Sequence, residues 1–227
     1  GRLMTQHTIA VIAGDGIGTE VMPEGLRVLN VAAERFGIDL VYKHFDWASW
    51  PYYERHGKML PDDWKAQLAD VDAIFFGAVG WPEKIPDHVS LWGSLLQFRR
   101  EFDQYVNLRP ARLMPGIRSP LVDREGRPLQ PGDIDMLIVR ENTEGLFSAR
   151  LSANPSADEA RDVLRLTRKG CERVIRFAFE LARTRRRHCT LVDKANVLPS
   201  MVFMRRIFDE IAAVRSARFS MRARLSL

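Results

Sequence analysis

Short apolar runs alternate with stretches of helical period along the first third of this chain. Residues 8–13 (TIAVIA) form an apolar run of strand length, and residues 14–18, rich in glycine, predict a turn after it. From Glu20 to Phe36 apolar positions recur at helical spacing, with Val21, Leu29, Ala32, Ala33 and Phe36 on the repeat. Residues 39–45 predict a second strand, and residues 62–69 a short helix opened by Pro61. Residues 73–79 (AIFFGAV) predict a third strand, buried on both faces. This order of strand, helix, strand, helix, strand predicts an α/β fold with a largely parallel sheet covered by helices.

Further on the pattern is more broken. Residues 81–90, with Pro82 and Pro86, predict a loop that leads into a helix over 91–102. A proline- and glycine-rich passage spans 109–132, and a strong strand follows over 134–140. A long amphipathic helix is predicted over 158–183, opened by Asn154-Pro155-Ser156. A strand over 190–193 and a helix over 201–213, after Pro199, complete the reading. The last segment, RSARFSMRARLSL, has no clear periodicity and no acid, and no internal repeat is visible.

Length and composition narrow the class. The 227 residues suit one large domain or two small ones, and a composition 46% hydrophobic and 28% charged can bury a core. No run approaches the eighteen or so apolar residues that would span a bilayer. Residues 1–10 have no apolar leader core, so a cytoplasmic protein is expected. Two cysteines, Cys171 and Cys189, are too few for a disulfide framework and sit in no nucleophile motif, so both are read as buried thiols. The net charge of +5 invites a nucleic-acid reading, but Arg215, Arg218, Arg222 and Arg224 in the acid-free tail account for +4 of it. Arg183, Arg185, Arg186 and Arg187 close a predicted helix, where cations favour the dipole. No groove-reading motif accompanies them, and neither a nucleic-acid nor a membrane partner is expected.

Three features could carry chemistry. Gly14-Asp15-Gly16-Ile17-Gly18 lies between a strand and a helix, yet the third glycine of a dinucleotide fingerprint would fall at position 19, which is Thr19. A tight turn needing positive φ is the plainer reading. Arg99, Arg109 and Arg140 have the planar fork that grips carboxylates bidentately; by spacing alone they could equally be unrelated surface arginines. Lys194, in Val192-Asp193-Lys194-Ala195-Asn196, could act as a base if desolvated near a metal or other cations, or could simply be solvated.

Four segments taken together resolve these alternatives. GDGIGTEV, SLWGSLLQFRREFDQYVNLRP (90–110), VRENTEG (139–145) and VDKANVL (192–198) occur in that order. They resemble the isocitrate/isopropylmalate family of β-decarboxylating dehydrogenases over about residues 8–212, and residues 90–110 are most similar to its tartrate and D-malate branch. The resemblance implies an isopropylmalate-dehydrogenase-like α/β fold. Residues 1–103 would form the first half of a larger cofactor-binding domain and residues 104–212 a smaller substrate and dimerisation domain. Residues 213–227 would be an unassigned basic tail. It implies NAD bound without a Rossmann fingerprint, Mn2+ or Mg2+, K+ as a possible further ion, a small dicarboxylate substrate and a homodimer.

By the same resemblance Arg99, Arg109 and Arg140 would clamp the substrate carboxylates, and residues 92–95, Leu95 among them, would face the group on C3. Lys194 would accept a proton in the partner subunit's site, Asn196 would lie near the nicotinamide, and Gly80 and Trp81 would flank the cofactor. A divalent ion would polarise the 2-hydroxyl, hydride would leave C2 for the nicotinamide, and the β-carboxylate of the resulting keto acid would depart as carbon dioxide.

Two departures from the family pattern stand out. Its presumed acid, a tyrosine seven residues after the strand arginine, is replaced by Phe147, which has no proton to give. Its aspartate metal ligands come after the region equivalent to residue 212, so no metal ligand is assigned here, and Glu101, Asp103 and Glu141 receive no such role. The sequence therefore reads as a truncated member, an enzyme by family or alternatively a non-catalytic remnant that folds or dimerises without turnover.

Overall fold

β1 (Gln6–Gly14) is the middle strand of a three-stranded parallel sheet, flanked by β2 (Asp39–Phe45) and β3 (Ala73–Ala78). The computed structural model describes residues 5–146, 156, 158–215 and 220–221. The chain divides into two units, residues 1–101 and 102–227.

In the first unit Ala10, Val11 and Ile12 of β1 are all buried, so both sheet faces are covered, as a parallel sheet requires. Ala10 and Ile12 join a cluster with Trp47, Tyr52, Met59, Leu60, Leu68, Ile85 and Phe98. Helix α1 (Ile17–Phe36) also packs on the sheet; a Cβ on Gly25 would come within 2.8 Å of the Phe75 ring. The glycines between β1 and α1 serve packing. Gly14 and Gly16 have φ of 80° and 49°, which glycine tolerates best. A Cβ on Gly14 would lie 1.8 Å from the Ala78 carbonyl oxygen, and one on Gly18 would lie 2.1 Å from that of Ala13. The plain-turn reading of this motif therefore holds.

Asp15, buried in the same turn, donates its N–H to Ala78 O and accepts at Oδ1 from Trp50 N, both at 2.7 Å. It thereby ties the sheet end to α2 (Trp50–His56), a helix that the apolar pattern did not reveal and that Ser49 caps. α3 (Trp64–Gln67) is the short helix expected after Pro61. The helix expected over 91–102 is instead α4 (Asp87–Ser90) and α5 (Leu95–Glu101). At the intervening Gly93 the chain passes so close to Val89 O that a Cβ would sit 2.6 Å from it. β3 is only partly buried, contrary to expectation, because it is an edge strand among the described residues. Ile17, Val21, Val28 and Val31 form a second, exposed apolar flank on α1.

The second unit is built on β4 (Val106–Arg112) and β5 (Asp135–Glu141), paired antiparallel. The three-stranded parallel sheet thus belongs to the first unit. β4 overlaps the start of the passage read as proline- and glycine-rich; it tolerates Pro110 because among the described residues it pairs with a single neighbour, β5. α6 is Arg168–Arg183, ten residues shorter at its start than the 158–183 pattern suggested. Thr167 ends the extended segment there and caps the helix, its side chain accepting from Gly170 N. The strand expected over 190–193 is the two-residue β6 (His188–Cys189), paired in parallel with β7 (Ser220–Met221) in the tail. Cys171, Val174, Ile175 and Phe179 of α6 pack against Ile207, Phe208, Ile211 and Ala212 of α7 (Pro199–Arg215), with Val106 and Val139 of the hairpin against them. Among the described residues no helix is long and apolar enough to cross a membrane.

Gly18→Ala tests the close approach of β1 to α1. The methyl must displace backbone, at a cost on the order of 2 kcal/mol, whereas Gly57→Ala, at the left-handed C-cap of α2 (φ 67°, ψ 14°), meets nothing within 4 Å and should cost only about 1 kcal/mol for its φ. Thermal denaturation followed by circular dichroism should therefore rank Gly18→Ala below Gly57→Ala; equal melting temperatures would contradict this packing.

Candidate active site

The β4–β5 ladder decides where two of the three arginines point. Asn107 pairs with Arg140 and Arg109 with Ile138, and paired residues share a face. Arg109 lies two positions from Asn107, so Arg109 and Arg140 are diagonal neighbours on one face, roughly 7–8 Å apart. Val106 and Val139 belong to the opposite face, which packs on the α6–α7 core. The arginine face is open: Ile138 and Met136 on it are half exposed, and Arg109 has no ion-pair partner among the described residues; on the other face the Val106–Val139 end is covered while Leu108 is partly exposed. Two arginines on an open face can each take one carboxylate of a small diacid.

Residues 142–146 leave β5 after Glu141, one residue beyond Arg140, and are fastened at several points. Asn142 donates its N–H to Tyr105 O and its Nδ2 to Gln104 O. Glu141 turns back to accept from the N–H groups of Thr143 and Glu144. Glu144 accepts from the N–H and the hydroxyl of Thr167, placing its carboxylate at the start of α6 where the helix dipole favours an anion. A Cβ on Gly170 would lie 2.3 Å from Glu144 Oε2, so the helix and the carboxylate meet at a glycine.

Arg173 completes this frame. Its guanidinium grips Asp103 through Nη1–Oδ2 at 2.6 Å and Nη2–Oδ1 at 2.9 Å, and Nη2 also donates to Thr143 Oγ1 at 2.9 Å. It stacks on Tyr105 at 4.6 Å. Hydrogen bonding from Arg173 holds the Asp103 carboxyl below its usual range, and Asp103 in turn raises the guanidinium. Phe147, the position of the family tyrosine, lies outside the described residues.

Lys194 and Asn196 are exposed on a loop whose turn is closed by Lys194 O, which accepts from Val197 N and Leu198 N. Lys194 is thus not desolvated by the described residues. Its neighbour Asp193 is the buried anchor of the loop, with a side chain 1% exposed. Asp193 accepts from Ala195 N at 3.0 Å and from Arg205 Nε on α7 at 2.8 Å. Burial pushes the Asp193 carboxyl up, but the hydrogen bonds from Arg205 and Ala195 carry it below its ordinary value.

The remaining expected residues belong to the first unit. Leu95 and Arg99 share one half-buried face of α5 at i, i+4 spacing, while Ser94 and Phe98 on another face are buried, the Phe98 ring edge-on to Trp64 and Phe76. Gly80, at φ 123°, and the partly exposed Trp81 follow β3 at its C-terminal end, the end where open α/β sheets place ligands. Trp81 O accepts from Lys84 N and Ile85 N, and fully buried Ile85 pins the loop. The structure therefore brings Arg109 and Arg140 together in one unit, and Leu95 with Arg99 in the other. Cys171 is buried, with its thiol pushed up to about 11 by burial and by Glu144 and Glu141; Cys189 is only partly buried, and burial raises its thiol as well. Both are poor nucleophiles.

The family model described as isocitrate/isopropylmalate dehydrogenase matches residues 8–224. The chain belongs to that family. Among its relatives, D-malate dehydrogenase [decarboxylating] of Escherichia coli (strain K12) is 54% identical over 200 residues, covering 86% of this chain and 54% of the relative. Tartrate dehydrogenase/decarboxylase of Pseudomonas putida is 53% identical over 192 residues, covering 83% of this chain and 51% of the relative. The chain thus spans about half the length of the curated relatives it matches. The crystal structure of isocitrate dehydrogenase from Methylococcus capsulatus superposes with a TM-score of 0.76 at 28% identity, covering 96% of this chain and 60% of that one. A family member's α/β fold, with its parallel sheet, is therefore what this sequence adopts.

The sequence pattern assigned no bracing role to the residues that fasten the hairpin end, Asp103, Thr143, Glu144 and Arg173, or to those that anchor the Lys194 loop, Asp193 and Arg205. Only Thr167 carried a readable cue, a capping residue three positions before a glycine at the head of an apolar repeat. The carboxylates beside the arginines already have donors, and among the described residues no group of three His, Cys, Asp or Glu could hold a metal. The donors among the described residues do not fit a divalent ion.

Asp193→Asn tests the loop anchor. A group with a lowered folded-state pKa stabilises above its unfolded value, about 3.9, and loses that contribution as pH falls through the folded value. Asp193→Asn should lose on the order of 1–3 kcal/mol near pH 7, and less as pH drops below about 4. Urea unfolding from pH 7 to pH 3 measures this; a pH-independent difference from the parent would refute it.

Proposed function

We propose that this chain carries the substrate-gripping and proton-accepting residues of an enzyme that oxidatively decarboxylates a 2-hydroxy dicarboxylate of the D-malate, tartrate or 3-isopropylmalate type with NAD. The single observation that carries this reading is the placement of Arg109 and Arg140 as diagonal neighbours on the open face of the β4–β5 hairpin. Relatives named for D-malate and tartrate support the substrate class.

Each group has a role that its surroundings allow. Arg109 and Arg140 bind the carboxylates and fix the orientation of the 2-hydroxy carbon, with Arg99 as a further carboxylate ligand and Leu95 beside it against the C3 substituent. Lys194, exposed on its braced loop, accepts the hydroxyl proton at Nζ, and a partner subunit of a homodimer supplies the closed surroundings in which it works. Gly80, which leaves the backbone unshielded by a side chain, and the partly exposed indole of Trp81 offer a flat cofactor ring a surface at the sheet end, and Asn196 offers an amide to the nicotinamide. NAD, when bound, takes the hydride from C2. Residues 1–103 are assigned to the first half of a larger cofactor-binding domain and residues 104–212 to a smaller substrate and dimerisation domain.

The second reading, a remnant without turnover, is separated from the first by one assay. Purified chain is titrated with D-malate and with meso-tartrate by calorimetry, and NADH absorbance is followed with NAD and Mn2+ present. Diacid binding with NADH formation supports the enzyme; binding without it supports the remnant.

Arg109→Ala should reduce kcat/KM in a catalytically complete protein by roughly thirtyfold or more, through one lost charge-assisted contact. Arg109→Lys should restore only part, because the fork is lost. Unchanged steady-state kinetics on all three diacids would remove Arg109 from the site.

A further inference from the structure

Arg173 uses one guanidinium to join three pieces of chain: Asp103 in the turn before β4, Tyr105 at the head of β4, and Thr143 in the loop after β5. Asp103 is itself a non-glycine residue at positive φ (45°), a conformation that local interactions must hold in place. The head of β4 and the end of β5 are the same end of the hairpin, where Asn107 pairs with Arg140. A two-stranded ladder frays first at its ends. Arg140 lies one residue from the final pair, Val106 with Glu141, so its backbone is held only as firmly as that end is held.

The fastening is directional. Arg173 rises from the middle of α6, whose inner face, Cys171, Val174, Ile175 and Phe179, is locked in the core. Its side chain is 20% exposed, and its contacts run to the strand ends and to no described residue on the arginine face. Glu144 on Thr167 secures the same loop to the head of the same helix. We propose that Arg173 is a positioning residue for Arg140: it transmits the rigidity of α6 to the end of the hairpin and so sets the spacing of the Arg109–Arg140 pair for a dicarboxylate. Lysine cannot replace it, because bidentate pairing with Asp103, stacking on Tyr105 and the bond to Thr143 all use the planar fork. This inference rests on the diacid reading of the arginine face.

The test uses the 227-residue chain and D-malate as the probe. Hydrogen exchange of the backbone at residues 140–144 is measured for the parent, Arg173→Gln and Arg173→Lys. D-malate binding is measured by calorimetry for these and for Arg109→Ala, Arg140→Ala and Arg140→Ala combined with Arg173→Gln. Both Arg173 variants are expected to exchange faster at 140–144 with the α6 core amides unchanged, and to bind D-malate roughly tenfold more weakly. In the Arg140→Ala background, Arg173→Gln should cause little further loss, since the residue it positions is gone; a general loss of stability would add in full. The proposal is overturned by unaltered exchange at 140–144 in both variants, or by full additivity in the double variant. If the parent chain fails to bind, or if Arg109→Ala and Arg140→Ala bind as the parent does, the diacid reading falls and the assignment to Arg140 with it. Faster exchange in that case would leave Arg173 with a structural role only, so the two failures are told apart.

Discussion

The register between β4 and β5 governs whether Arg109 and Arg140 share a face at all. Side chains alternate along a strand, so a slip of one residue would send Arg140 into the α6–α7 core and turn Val139 out. Burial of Val106 and Val139 opposes that slip, because it would expose apolar area worth about 25 cal/mol per Å2 and desolvate a guanidinium. The hydrophobic contacts on one face therefore fix the position of charged groups on the other. The polar frame of Asp103, Thr143, Glu144 and Arg173 then holds the hairpin end, where burial alone is weakest.

The first unit reaches similar precision through close backbone approach. Gly14, Gly18 and Gly77 let β1, β3 and the head of α1 come nearer than any side chain would permit, with a Cβ at Gly77 falling 2.1 Å from Ala13 O. The strand ends are thereby drawn together at the edge from which Gly80 and Trp81 emerge. The aromatic packing of Phe98 with Trp64 and Phe76 fixes the rotation of α5 about its axis, and with it the direction of Leu95 and Arg99. In both units the residues that would meet ligand are oriented by neighbours that would not.

Most charges on the surface have little structural weight. Pairs such as Arg27–Glu24 and Lys58–Asp62 are exposed on both sides and contribute little in water. The basic cluster closing α6 is partly tied down, since Arg185 and Arg186 both pair with Asp135 at the start of β5. Asp193 differs because its carboxylate is buried, so Arg205 and Ala195 N–H are what make its charge tolerable there.

The order of elements was legible in the sequence because period-two and period-3.6 patterns report burial directly. β2 begins and ends where the pattern places it, and α1, β1, β3 and β5 differ by a few residues at their ends. The four ordered motifs were likewise enough to identify the family. What the pattern missed depended on contacts distant in sequence. β4 hides behind Pro110, which is tolerated because of the strand's edge position in the ladder. The start of α6 at Arg168 is set by Thr167 together with Glu144, twenty-three residues earlier. That Arg109 and Arg140 share a face, and that Arg173 and Asp193 hold the segments on which Arg140 and Lys194 sit, follows from strand register and helix placement. Local sequence encodes the propensity of each segment, but the pairing of segments is chosen by which apolar faces can be buried together, and only the folded chain determines that.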